Sequence, residues 1–123
     1  MIGYVTLGTN DFDKAAAFYD ALLGDIGAKR TMDFGTFIVW ATSPAAPSLA
    51  ICKPYNGQPA TVGNGVMVAL FVDSPEKVNA LYAKAMALGA TDEGEPGSRG
   101  GNFYAAYFRD LDGNKLNFFT ITQ

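Results

Sequence analysis

The sequence writes one strand-then-helix pattern twice at a constant offset of 63 residues. Tyr4-Val5-Thr6-Leu7 leads into a helix through Ala17 and Tyr19, and Met67-Val68-Ala69-Leu70 leads into a helix through Ala80 and Tyr82. A repeat of this length that occurs only twice is too long and too sparse for a solenoid. It points instead to two copies of one module related by a pseudo-twofold axis, within a single domain of 123 residues.

The punctuation of each copy agrees. Residues about 2–8 alternate as a strand, and Asn10 or Asp11 caps a helix whose apolar stripe runs through Phe12, Ala15, Ala16, Tyr19, Leu22, Leu23 and Ile26. Gly24 and Gly27 end it. Strand-like runs follow at Ala28–Asp33, Thr36–Ala41 and Ser48–Lys53, and 54–65 reads as a linker rich in Pro, Gly, Asn and Gln. From Val66 the pattern restarts. Ser74-Pro75-Glu76 opens a helix with a serine cap and proline at its first position, and Gly89 closes it. A polar, Gly-rich stretch from Glu93 to Asn102 gives the sixth strand the faintest pattern of the eight. The strands Phe103–Arg109 and Lys115–Thr120 then flank an Asp-Gly turn. Each half reads β-α-β-β-β, with module 1 at about 1–53 and module 2 at about 66–123.

Pleating divides each opening strand into two faces. Val5 and Leu7 match Val68 and Leu70 as the consistently apolar set expected beneath the helices. Tyr4, Thr6 and Gly8 share the other face, as do Met67, Ala69 and Phe71.

Composition narrows the function. Nine Lys and Arg against twelve Asp and Glu give a net charge of −3, with no basic stripe to grip phosphates, so nucleic acid is not the expected partner. The single cysteine, Cys52, excludes an intrachain disulfide. No signal peptide or membrane span is visible, and a cytoplasmic protein is the default expectation. There is no histidine anywhere in the chain. The commonest metal ligand and proton shuttle is therefore missing.

In the order and spacing of these residues the chain resembles the vicinal oxygen chelate superfamily, which includes glyoxalase I, bleomycin-resistance proteins and extradiol dioxygenases. The likeness runs over nearly the whole length. It is carried by the opening strand and its Phe18-Tyr19 helix, the Val72-Asp73-Ser74-Pro75 boundary and the hairpin from Phe108 to Lys115, where Leu111 replaces the family's usual Pro. The resemblance implies an α+β fold of two tandem βαβββ modules with pseudo-twofold symmetry, curved into a cup-shaped mixed sheet. It also implies a homodimer, sometimes with swapped modules. In the metal-dependent members a divalent ion takes ligands from the first, fourth, fifth and eighth strands, usually His or Glu. By position these fall on Tyr4, near Ile51 (within about one residue), on Met67 and on Asn117. A neutral phenol, a hydrocarbon, a thioether and an amide cannot replace the hydration shell of Zn²⁺, Mn²⁺ or Fe²⁺. The expected cofactor is none.

The resulting expectation is a metal-independent small-molecule binding protein of the bleomycin-resistance kind. Its alternative is a glyoxalase-like lyase or another enzyme of this superfamily working without the usual metal site, and a third reading is a dimeric scaffold. The candidate pocket joins Tyr4, Ile51, Met67 and Asn117 to the aromatic residues Trp40, Phe71 and Tyr104 and to Arg99, which could clamp a carboxylate or phosphate. Each has a plainer reading: Tyr4 as a packed aromatic, Met67 and Ile51 as wall or core, and Arg99 as a solvated loop residue. Catalytic residues are unassigned. Asp110-Leu111-Asp112-Gly113-Asn114 is a turn rather than a calcium loop, since its glycine comes at the fourth position and Ile121 stands where the bidentate Glu would be.

Overall fold

Strand β1 (Tyr4–Gly8) runs into helix α1 (Phe12–Gly24), and β2 (Lys29–Asp33), β3 (Phe37–Ala41) and β4 (Ser48–Cys52) follow. The second series is β5 (Val68–Phe71), α2 (Pro75–Ala87), β6 (Thr91–Ser98), β7 (Phe103–Arg109) and β8 (Lys115–Ile121). The computed structural model describes residues 1–123, and the chain divides into two compact units, 1–62 and 63–123.

Each unit is a four-stranded mixed sheet with one helix packed on it. The orders are β1-β4-β3-β2 and β5-β8-β7-β6, the same topology twice. The opening strand lies parallel to the last strand of its own unit, with Tyr4 opposite Ser48 and Ala69 opposite Asn117. All other pairings are antiparallel. The two modules expected from the sequence are both present in this α+β arrangement.

The helices begin where their caps dictate. Asp11, not Asn10, is the cap of α1, its carboxylate accepting from the Lys14 amide at 3.3 Å. Ser74 does the same for α2 through the Lys77 amide at 3.2 Å. Beyond α1, Gly27 takes a left-handed φ of 82°, and beyond α2, Gly89 takes one of 103°. The face of α1 that bears Ala15, Ala16, Tyr19, Leu22 and Leu23 is buried. Leu22 is fully inaccessible, so its truncation to alanine would cost about 2–5 kcal/mol. In the second unit Val78, Leu81 and Ala85 pack against Phe108, Leu116 and Phe118, all of them buried, with the Phe108 and Phe118 rings stacked at 5.4 Å.

One element departs from expectation. The stretch from Glu93 onward belongs largely to β6, which starts at Thr91 and extends to Ser98. It pairs with β7 through irregularities at Asp92/Gly94 and Gly94/Gly97. As an edge strand it tolerates Pro96, which has no amide to donate.

Candidate functional site

Each sheet has a face covered by its helix and a second face that its helix does not cover. Strand alternation assigns every candidate residue to one or the other. In the first unit Tyr4, Phe37, Val39 and Ser48 line an open-face hollow of about 810 Å³ with Met32 and Pro44. Tyr4 is 61% exposed, its ring edge-on to Phe37 at 6.1 Å.

Three residues expected in a pocket lie on the helix-covered faces instead. Trp40 is 1% exposed, contacts the Tyr19 ring at 5.7 Å and donates its indole N–H to Asp20 at 2.9 Å. Ile51 is opposite the buried Leu7 in the β1–β4 register, so the open-face positions of β4 are Ala50 and Cys52. Tyr104 shares its side of β7 with Ala106 and Phe108 and donates its hydroxyl to Asn79 of α2 at 2.7 Å. These placements follow from one-residue parity: a residue assigned one position out moves to the opposite face.

Asn117, Phe71 and Arg99 do belong to one open face, that of the second unit, and Met67 lies just before β5 in the same alternation, 40% exposed. Phe119 anchors this face, stacked on Phe103 at 5.4 Å and edge-on to Phe71 at 5.6 Å. Phe71 remains 61% exposed. Two positions back along β8 is Asn117, between Ala69 and Tyr107 in register. Its side chain is 1% exposed, yet Oδ1 has no hydrogen-bond partner. A buried acceptor left unpaired costs about 1–3 kcal/mol, so native structures seldom retain one without a reason.

Cations surround the neighbouring ring. The Arg99 guanidinium is 5.3 Å and the Lys115 ammonium 5.6 Å from the centre of Tyr107. Arg109 donates to Glu93 at 2.6 Å, and this hydrogen bond holds the Glu93 carboxyl below the usual range. Tyr107 is one of the aromatic residues the sequence offers as a pocket wall, whereas Lys115 carries no such signal; only the register brings the two beside Asn117 and Arg99.

The donor set can be tested against a divalent metal within each unit. The open-face positions of β1 and β4 hold Tyr4, Thr6, Gly8, Ser48, Ala50 and Cys52, and those of β5 and β8 hold Ala69, Phe71, Lys115, Asn117 and Phe119. Neither set contains an imidazole or a carboxylate. Cys52 is half-buried, and burial pushes its thiol pKa up, away from the thiolate a metal requires. No group of three His, Cys, Asp or Glu side chains is placed so that it could hold a metal ion. These residues do not fit a catalytic divalent ion.

A sequence profile described as the Glyoxalase/Bleomycin resistance protein/Dioxygenase superfamily matches residues 1–118. The chain belongs to this superfamily. A glyoxalase/bleomycin resistance protein from Albidiferax ferrireducens T118 is 40% identical, with 98% of each chain covered and a TM-score of 0.89. A glyoxalase/bleomycin resistance protein/dioxygenase family enzyme from Burkholderia phytofirmans PsJN shares the fold at 20% identity, with 97% of each chain covered and a TM-score of 0.79. So does a lactoylglutathione lyase from Agrobacterium tumefaciens at 22% identity, covering 98% of this chain and 92% of that one with a TM-score of 0.73. No curated protein matches the sequence. No helix in the chain is long and apolar enough to cross a membrane.

Proposed function

We propose that this protein binds a small organic molecule on the open face of its second unit, and does so without a metal ion. The observation that carries the reading is Asn117: a fully enclosed amide whose oxygen lacks a partner, set among Phe71, Phe103, Phe119 and Tyr107. Apolar and aromatic walls with one or two placed polar atoms are the common makeup of small-molecule sites. A ligand hydroxyl or N–H that displaces the side chains covering it would supply the hydrogen bond the amide oxygen lacks. The family's bleomycin-resistance members and the donor set described above support the same reading, since nothing at these positions favours an ion over an organic group.

Titration calorimetry tests it, using the native protein against bleomycin and a panel of small phenols and aromatic amides, each with and without EDTA. Saturable heat that EDTA does not alter is the expected result. The absence of both heat and thermal shift across the panel, or binding that EDTA abolishes, would overturn it.

A further inference from the structure

We infer that the second unit's open face is built for an organic carboxylate with an aromatic body: Arg99 and Lys115 take the anion, and the Phe103–Phe119–Phe71 cluster takes the ring. This rests on the reading of that face as a small-molecule site and assigns its ligand class.

The chain as a whole carries a charge of −3, yet this face departs from it. Arg99 and Lys115 both approach one ring, Tyr107, and neither forms an ion pair with a carboxylate. Two of the acidic groups around them, Glu93 and Asp92, are hydrogen-bonded to other residues. Glu93, whose carboxyl is held low mainly by Arg109 and in part by Lys115, is hydrogen-bonded to Arg109. Asp92 accepts from the Tyr82 hydroxyl and the Gly94 amide at 2.9 and 2.8 Å. Of Glu95, only the backbone carbonyl meets Arg99.

Arg99 is also held in place. Its guanidinium folds back across β6 into space that two glycines leave vacant. A Cβ on Gly94 would come within 3.2 Å of one terminal nitrogen, and a Cβ on Gly97 within 3.1 Å of the other. One N–H is spent on the Glu95 carbonyl, leaving most of the fork's five donors for a ligand. A planar fork with its side-chain freedom already restricted is the arrangement that suits a carboxylate, which it can engage with two parallel hydrogen bonds. Asn117 is the independent observation, and it points to a different part of the ligand. Its unpaired buried oxygen sits in the same row as Tyr107 and Gly94 and calls for a donor such as a ligand hydroxyl, while the carboxylate itself is left to the adjoining cations. Of the stacked phenylalanines, Phe119 lies one same-face step beyond Asn117 on β8 and Phe103 two such steps from Tyr107 on β7.

The test uses the native chain and four probes: benzoate, 4-hydroxybenzoate, benzyl alcohol and benzylamine. Affinities are read by calorimetry, and location by shifts of the Asn117 side-chain amide in nitrogen-15 spectra. Both carboxylates are expected to bind at least tenfold more tightly than benzyl alcohol or benzylamine. Arg99→Gln is expected to lose at least tenfold in carboxylate affinity while benzyl alcohol changes less than twofold. Arg99→Lys, which keeps the charge without the fork, should fall between Arg99→Gln and the native chain. Unchanged amide spectra establish that each variant is folded. Benzylamine binding as well as benzoate, or an Arg99→Gln variant with native benzoate affinity, would overturn the inference. If the neutral and cationic probes bind but the carboxylates do not, the ligand class fails and the binding site stands. If no probe binds and the wider panel gives no heat, both fail.

Discussion

Asn10 holds Ala60 by both of its backbone groups: the side-chain amide donates to the Ala60 carbonyl at 3.1 Å and its oxygen accepts the Ala60 N–H at 2.7 Å. The asparagine thereby stands in for a strand neighbour and fixes a segment rich in Pro and Gly to the start of α1. Both bonds are exposed, so the pair is worth about 1 kcal/mol rather than the price of two buried bonds. Asn10→Ala is expected to lower stability by about that much and to speed amide exchange at Gln58, Ala60 and Thr61 while β1 and β4 keep their protection. Equal exchange in the two proteins would show that the segment is held by something else.

Asp20 ties helix α1 to two strands at once. Its Oδ1 accepts from Trp40 Nε1 and Arg30 Nε, both at 2.9 Å, and its Oδ2 accepts from Arg30 Nη2 at 2.7 Å. The Arg30 hydrogen bond is the main reason its carboxyl pKa lies below the ordinary value. A carboxylate pKa lowered by folding contributes stability that is present above its unfolded value of about 4 and lost as pH falls through the folded value. The side chains of Arg30 and Asp20 are 36% and 43% exposed, so solvent screening keeps the ion-pair contribution below about 1 kcal/mol. Asp20→Asn should therefore narrow the stability difference between pH 7 and pH 3. Asp20→Ala should cost more, about 1–3 kcal/mol, because it also strands the buried indole N–H. Urea unfolding followed by fluorescence reads this directly, since Trp40 is the only tryptophan. An Asp20→Asn protein with the native pH difference would refute the assignment.

Gly94 is where the second unit's edge strand meets the proposed anion site. A methyl group there would stand 3.1 Å from the Tyr107 ring and 3.2 Å from the Arg99 guanidinium. Tyr107 belongs to an interior strand paired on both sides, so the clash pushes the guanidinium out of the place where the glycines and the Glu95 carbonyl hold it, and the φ of 156° at Gly94 adds backbone strain to any side chain there. Gly94→Ala should consequently lower benzoate affinity severalfold by displacing Arg99, with a smaller effect on benzyl alcohol. A uniform loss for both probes would instead indicate damage to the sheet.

The fold was readable because its signals were local and occurred twice: caps at Asp11 and Ser74, glycines at Gly27 and Gly89, and the Asp-Gly turn. Strand β6 was faint because Thr91–Ser98 contains two glycines and a proline, and it pairs through backbone groups on an edge where apolar alternation is not required. The site was only partly readable, for a different reason. The runs Phe37–Ala41, Ser48–Cys52 and Phe103–Phe108 are apolar almost throughout, so alternation could not say which face Trp40, Ile51 or Tyr104 occupies. Register with neighbouring strands and helices decides that. Asn117 stood out because one polar amide among phenylalanines needs a partner. The grouping of Arg99, Tyr107 and Lys115 around it arises from pairing between β6, β7 and β8, which no single stretch of sequence contains.

Asn117 should trade stability for binding. Its Oδ1 is buried and unpaired, so replacing the side chain by leucine, which has the same branched skeleton but bulkier methyl groups, removes a desolvated acceptor and adds apolar contact with Phe119 and Tyr107 that outweighs the tighter packing. The expected gain is about 1 kcal/mol, or a rise in melting temperature of about 3–5 °C for a domain of this size. The same variant should lose the hydrogen bond to any ligand that donates to this oxygen, weakening 4-hydroxybenzoate more than benzoate if the hydroxyl is the donor. A core asparagine serving only structure would behave in the opposite way, because its replacement would lower the melting temperature and leave ligand affinities equal. Thermal unfolding and calorimetry on the single variant therefore separate the two roles: a stabilised protein that binds less tightly identifies Asn117 as a binding residue, and a destabilised one with native affinity removes it from the site.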